Sequence, residues 1–350
     1  MIFSSDNWSG AHPAVAEALA REAGVAGAAY GNSEVDGRVA RHFAEIFERE
    51  VSVFFVGTGT AANALALAAF ARPGGVILCH DDAHIRVDEC GAPEFFATAR
   101  LSTVPGAAGR MDLAALAAAL DAFDPAFVHG GQPMAVSISQ ATEAGTFYRL
   151  EEIAAVAALA HGRGLPLHMD GARFANAAAA LGASPADMTW RAGVDVLSFG
   201  ATKNGCWCAE AILFFDPQKA AEFAFVHKRG GQLFSKTRFI AAQFEAYLKD
   251  GLWLRLAAHS NAMADRLRDG LKASATGARL AWPTQGNEVF AIVPDALIAA
   301  ARAAGAQFYD WPADSAADLS SDETMIRLVT SWNTTDEEVD SLLRIVGAAA

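Results

Sequence analysis

A chain of 350 residues, 53% hydrophobic and 19% charged, can bury a large core and suits one large α/β domain with a smaller one beside it. Its net charge of −13 argues against non-specific nucleic-acid binding, which needs a basic face, and against an anionic membrane surface. Four scattered cysteines make no disulfide framework or zinc spacing, and the start of the chain shows no secretory signal, so the expectation is a cytoplasmic protein with no membrane span and no metal. In chain order, apolar strand-type runs alternate with alanine-rich amphipathic stretches, the pattern of a mostly parallel sheet covered by helices. Residues 51–56 read as a strand, followed by the turn Gly57-Thr58-Gly59-Thr60 and a helix over 61–71. Residues 76–79 form a second strand ending at His80-Asp81-Asp82, and 126–129 and 136–138 are further strand candidates. Residues 150–163 read as a helix, 165–169 as a strand delivering Asp170, and 194–199 as a strand delivering Thr202 and Lys203. Residues 209–215 read as a neighbouring strand, parallel or antiparallel. After Phe223 comes a basic loop with Lys228, Arg229, Lys236 and Arg238, then a long helical region to about residue 271, then a small α+β region over 279–346.

Three segments carry chemistry. In Gly57-Thr58-Gly59-Thr60-Ala61-Ala62-Asn63, glycines let a ligand approach the backbone. The unpaired N–H groups of the following helix, with the hydroxyls of Thr58 and Thr60, suit a phosphate monoester. The same residues fit G-x-G-x-x-A, with Asp81 or Asp82 about 20 residues onward, so a nicotinamide-dependent dehydrogenase stays open, as does a plain strand–turn–helix connection. In Leu167-His168-Met169-Asp170-Gly171-Ala172-Arg173, the acid after an apolar strand suits a helix cap, or an ion pair that keeps a pyridine ring protonated and able to accept electrons. Arg173 offers a planar fork to a carboxylate or phenolate. In Ser198-Phe199-Gly200-Ala201-Thr202-Lys203-Asn204-Gly205, a lysine stands among small residues at a buried strand end, a setting for a Schiff-base amine or for an exposed loop lysine. His84 follows the second strand, where its ring suits stacking on a heteroaromatic cofactor or an ordinary loop position. Arg327, inside the apolar run Ile326-Arg327-Leu328-Val329, suits a buried anionic partner or a plain surface or interface position.

Taken together, this order of motifs resembles the fold-type I enzymes that use pyridoxal 5'-phosphate (PLP), and within them the threonine aldolase family. The carriers are Tyr30-Gly31, the Gly57–Asn63 turn, His84 with Glu89-Cys90-Gly91-Ala92-Pro93, the His168–Arg173 run, and Arg327-Leu328-Val329-Thr330. The segment Phe199-Gly200-Ala201-Thr202-Lys203-Asn204-Gly205 is similar to that of the bacterial low-specificity L-threonine aldolases, a branch that grades into phenylserine aldolases. The resemblance implies that Lys203 holds PLP, Asp170 binds its ring nitrogen, His84 stacks on the ring, and Thr58, Gly59 and Thr60 take the phosphate. Ser5, Arg173 and Arg327 would hold the substrate carboxylate. Tyr30 and a residue of the basic loop would reach into a neighbouring subunit of a homodimer or homotetramer. One departure stands out: where many family members carry Asn-Thr-His-Asn-Gly, this chain has Ala141-Thr142-Glu143-Ala144-Gly145. The base for the β-hydroxyl is therefore His84, Glu143 or an ordered water.

The implied reaction is retro-aldol Cα–Cβ cleavage of L-threonine, L-allo-threonine and related β-hydroxy-α-amino acids, extending to L-phenylserine, into glycine and an aldehyde. The implied architecture is an N-terminal arm (1–14), a large PLP-binding domain (15–250) and a small α+β domain (251–350) that completes the substrate site. Rival readings are β-elimination or transamination on the same scaffold and the nicotinamide dehydrogenase, which leaves Asp170 and Lys203 without a task.

Overall fold

Long apolar runs become the inner strands of a sheet buried on both faces, and the computed structural model, which describes residues 1–312 and 319–346, arranges seven of them. Their order across the sheet is Ser52–Val56, Glu210–Phe214, Val196–Gly200, Leu167–Gly171, Gln132–Ser139, Gly75–His80 and Ala99–Val104. All run parallel except Glu210–Phe214, which is antiparallel to both of its neighbours. The helix expected after the glycine turn spans Gly59–Ala68, and the one before Asp170 spans Leu150–His161. His84 does not lie in a loop but opens a one-turn helix, His84–Val87.

Residues 126–129 are not a strand. Asp124 Oδ1 accepts from the Ala126 N–H at 2.8 Å, and the Phe127 N–H donates to the Asp124 carbonyl at 3.0 Å. An Asx turn thus takes the backbone groups a ladder would need, and Phe127 and Val128 stand exposed.

The first core packs Phe43, Phe47, Phe174, Phe199 and Phe244 between the sheet and its helices, with Phe43 and Phe199 edge to face at 5.3 Å. A second core lies under a four-stranded antiparallel sheet of Arg279–Leu280, Glu288–Pro294, Glu323–Val329 and Tyr309–Asp310. Helix Leu252–Lys272 joins the two, burying Trp253, Leu256 and Ala257 in the first and Met263, Leu267 and Leu271 in the second. The N-terminal segment belongs to this second core. Phe3 is fully buried in it, the Phe3 N–H donates to the Gln307 carbonyl at 2.8 Å, and the Val329 N–H donates to the Phe3 carbonyl at 2.8 Å. Burial of the Phe3 ring contributes roughly 2 to 3 kcal/mol, which fixes the segment and delivers Ser5 and Asp6 to the groove between the two sheets. Among the described residues, no helix is long and apolar enough to cross a membrane.

Candidate active site

The site forms beyond the carboxyl ends of the parallel strands, where an open α/β sheet gathers its ligands. Strands Leu167–Gly171 and Val196–Gly200 pair Asp170 with Ser198 and Gly171 with Phe199. A side chain at Gly200 would meet the Ala172 backbone at 2.6 Å, so only glycine allows the two strand ends to approach this closely. Asp170, within the first strand, and Lys203, just past the second, are thereby brought to the same edge of the sheet.

Asp170 is 4% exposed. Its Oδ2 accepts from Asn63 Nδ2 at 2.8 Å and its Oδ1 from the Ala172 N–H at 3.0 Å. A carboxylate has about four acceptor positions, so capacity remains for a cationic partner. The other Asn63 hydrogen bond, also 2.8 Å, goes to Glu89 Oε1, which lies 2.8 Å from His84 Nδ1. That hydrogen bond raises the His84 imidazole above its ordinary value, outweighing the opposite effect of burial. In its neutral form, with the Nδ1 proton directed to Glu89, His84 offers Nε2 as a lone pair. Burial meanwhile pushes the Glu89 carboxyl up.

Beneath Asp170, His168 is buried between Ser137 Oγ (2.8 Å from Nδ1) and Ser198 Oγ (3.0 Å from Nε2), and burial brings it down to about 4, so it is neutral. Lys203 is half-buried, and its amine makes no hydrogen bond or ion pair among the described residues. Its charge is nevertheless felt at Asp6, His84 and Glu210, which ties these groups to one site.

The glycine turn lies alongside. Thr58 caps helix Gly59–Ala68, its hydroxyl accepting from the Ala61 N–H at 3.1 Å. The expected basic loop is shorter than the sequence suggests, since Lys228 and Arg229 end helix Phe223–Arg229 and Arg238 opens helix Arg238–Leu248. The Gly57 N–H donates to Gln232 Oε1 at 3.0 Å, and Phe234 packs against Gly57, so the 230–236 loop closes over the turn of its own chain. A side chain at Gly59 would meet no atom within 4 Å, leaving open space at the helix N-terminus. Thr60 is the second residue of that first turn, with its N–H ahead of the intrahelical pattern.

These residues fit PLP. Two buried carboxylates beside an imidazole call for a cation, an unpartnered amine is at hand, and an open helix N-terminus can receive a phosphate. Ligand atoms of His84, Glu89 and Asp170 also lie within 4.8 Å of one another, as a metal site requires. The Asn63 amide, however, already presents N–H groups to both carboxylates, which favours a hydrogen-bonded ring nitrogen over an ion.

The expected carboxylate partners are brought together but not left free. Arg173 is 6% exposed and forms a two-pronged pair with Asp6, Nε to Oδ2 at 2.7 Å and Nη2 to Oδ1 at 3.0 Å, while its Nη1 faces Glu288 Oε2 at 3.3 Å. Arg327 stacks over Trp311 at 4.4 Å and reaches Glu288 Oε1 at 3.8 Å. Ser5 caps the turn Asp6–Trp8. Glu143 has no ion pair among the described residues, yet its charge acts on His84, Arg173 and Glu288. Tyr30 is half-exposed in a left-handed conformation, with Lys228 over its ring at 5.2 Å, and makes no hydrogen bond or ring contact with this cluster among the described residues.

Sequence reasoning assigns no role to Asp6, Asn63, Glu89, Glu210 or Glu288. Glu210 and Glu288 share a readable signal, a carboxylate opening an apolar strand. Burial pushes Glu210 up to about 7, against the pull of its Thr202 hydrogen bond and of Lys203. Because the folded value lies above the ordinary 4.5, Glu210 contributes stability that is complete below pH 4.5 and is lost as pH rises through about 7, roughly 3 kcal/mol in all. Glu210→Gln is expected to flatten that decline. Urea midpoints at pH 5 and pH 8 test it, and equal pH slopes in variant and wild type would refute it.

Comparison with known proteins places this geometry. The beta-eliminating lyase family matches residues 3–295. A Pseudomonas aeruginosa protein named low specificity L-threonine aldolase is 42% identical over 98% of this chain and 96% of its own. The solved Leishmania major threonine aldolase superposes with a TM-score of 0.91 at 31% identity, covering 99% of this chain and 98% of that one. A PLP-bound SPT shares the fold alone, with a TM-score of 0.71 at 15% identity, over 99% of this chain and 86% of that one. With a family match across most of its length and a near full-length relationship to low specificity L-threonine aldolase, this chain belongs to the beta-eliminating lyase family.

Proposed function

We propose that the cleft of His84, Asp170 and Lys203 is where this chain, using PLP, cleaves L-threonine, L-allo-threonine and related β-hydroxy-α-amino acids into glycine and an aldehyde. The observation that carries the reading is the unpartnered Lys203 amine beside the Asn63-bridged carboxylates Asp170 and Glu89. Lys203 would hold the cofactor, Asp170 its ring nitrogen, His84 its face, and Thr58, Gly59 and Thr60 its phosphate. Once bound, the protonated ring supplies the sink for the electron pair freed when Cα–Cβ breaks. Arg173 and Arg327, with Ser5, would fix the substrate carboxylate, and so the orientation of the bond to be broken. His84 Nε2 takes the proton of the β-hydroxyl oxygen, the aldehyde carbonyl forms as the bond breaks, and Lys203 returns a proton to Cα.

The division at 14/15 and 250/251 belongs to the same reading, as do a cytoplasmic setting and a homodimer or homotetramer. In that assembly, Tyr30 and a basic residue of the 228–236 segment complete a neighbouring copy's site. The exposure of Tyr30, away from its own chain's cluster, supports this.

The test is product identity. PLP-loaded protein is expected to release aldehyde and glycine from L-threonine, L-allo-threonine and L-phenylserine. A 2-oxo acid with ammonia instead would move the chain to β-elimination, the reaction its family name describes. The base is tested in the same assay. His84→Asn should lower kcat about a hundredfold or more, whereas Glu143→Gln should leave kcat within a few-fold. Glu143→Gln should also move the acid limb of the rate profile to lower pH, since a negative charge that raises His84 has gone. Near-normal turnover in His84→Asn would assign the proton to another group.

A further inference from the structure

Glu288 opens the second strand of the small sheet, where it is 1% exposed and directly precedes the core residue Val289. It faces four charged groups from four other parts of the chain. Arg173 follows strand Leu167–Gly171, Arg327 is on strand Glu323–Val329, Asp6 is in the N-terminal segment, and Glu143 is in the loop after strand Gln132–Ser139. Asp6 occupies Nε and Nη2 of Arg173, so Glu288 meets the remaining nitrogen, Nη1. On Arg327, Nη2 donates to the Ser4 carbonyl at 3.4 Å, and Nη1 again points toward Glu288. Glu288 therefore spans the free ends of both guanidinium groups, yet neither of its oxygens has a hydrogen-bond partner among the described residues.

A buried carboxylate normally secures its charge with hydrogen bonds of good geometry, and this one has ion-pair contacts alone, at 3.3 and 3.8 Å. Two arginines and the carboxylates of Asp6 and Glu288 are neutral as a group. A further carboxylate brought to the same guanidinium groups would leave a net buried negative charge, which is costly unless one acid takes up a proton. Asp6 is the poor candidate, because Arg173, Lys203 and two hydrogen bonds overcome its burial and hold it below the ordinary range. Burial outweighs both arginines at Glu288 and holds it above that range.

We propose that Glu288 is a proton-coupled positioning residue of the carboxylate site: it spans Arg173 and Arg327, and takes a proton from solvent as the α-carboxylate of the amino acid joins them. The proposal rests on the reading of Arg173 and Arg327 as the substrate-carboxylate partners. One proton enters, no other bond changes, and the carboxyl oxygens that had faced the guanidinium groups give way to those of the ligand. The affinity for an amino acid then carries a component that weakens as pH rises, because the proton becomes harder to supply.

Glycine binding to the PLP-loaded protein, followed by calorimetry in two buffers of different ionisation enthalpy, reads the proton count directly. Wild type is expected to take up about one proton more per glycine than Glu288→Gln, the amine chemistry being common to both. Glu288→Met serves the same comparison should the glutamine variant misfold. Equal proton counts in wild type and variant would overturn the proposal while leaving the carboxylate site intact. Arg327→Ala separates the two levels: it should weaken glycine binding at least tenfold, and unchanged affinity would remove the carboxylate-site reading itself, and the proposal with it.

Discussion

Lys203→Ala is expected to lower kcat for aldehyde release from L-threonine by at least about a thousandfold, equivalent to roughly 4 kcal/mol of transition-state stabilisation. The argument begins with the environment. Strand Val196–Gly200 is buried throughout, the turn Thr202–Asn204 follows it, and Gly205 in the left-handed region ends that turn. Asn204 is locked by hydrogen bonds from its amide to Tyr247 Oη at 2.7 Å and the Trp253 carbonyl at 2.9 Å. The neighbours of Lys203 are thus fixed while its amine makes no hydrogen bond or ion pair among the described residues. A structural lysine would be paired, so its removal should cost stability. Here removal should leave the urea midpoint nearly unchanged while cofactor retention through gel filtration and turnover both collapse. A variant that keeps PLP and more than a tenth of wild-type turnover would show that another group carries the cofactor.

Polar residues at the ends of apolar runs were legible. Asp170 is the penultimate residue of one buried strand and Lys203 follows the next, and the parallel architecture brings them to the same edge, because successive strand ends lie on one edge of the sheet. Glycine spacing likewise exposed the helix that starts at Gly59. What stayed hidden depends on pairing across long sequence separations. Arg173 reads as a free fork for a ligand, but its main partner, Asp6, lies 167 residues away and reaches it only because Phe3 anchors the N-terminal segment in the second core. Glu288 and Arg327 meet through strand pairing of the small sheet, where Phe290 stands opposite Arg327. The segment 126–129 failed for a local reason: aromatic and β-branched letters suggested a strand, while Asp124 before it and Gly130-Gly131 after it had already committed the backbone to turns. The direction of Glu210–Phe214 was equally undetermined, since a fully buried strand carries no mark of its polarity.

Asp170→Asn should lower kcat by about a hundredfold to a thousandfold with little change in folding, and Asp170→Ala should lower both. In the asparagine variant, one side-chain oxygen remains to accept from Asn63 or from the Ala172 N–H, so the local hydrogen bonding survives in part. The negative charge does not survive, and with it goes the group that would keep a ring nitrogen protonated. The loss should therefore appear in kcat, whereas the KM for L-threonine, on the proposal that Arg173 and Arg327 hold its carboxylate, should move by only a few-fold. Alanine goes further. It leaves the Asn63 amide and the Ala172 N–H without that acceptor in a buried region, at about 1 to 3 kcal/mol, and the urea midpoint should fall accordingly. Charge and hydrogen bonding thus separate across the two variants. Turnover by Asp170→Asn within tenfold of wild type would mean that the charge of Asp170 is not what drives the reaction. Glu89, bridged to it through Asn63 and carrying a buried oxygen without a partner, would then be the carboxylate to replace next.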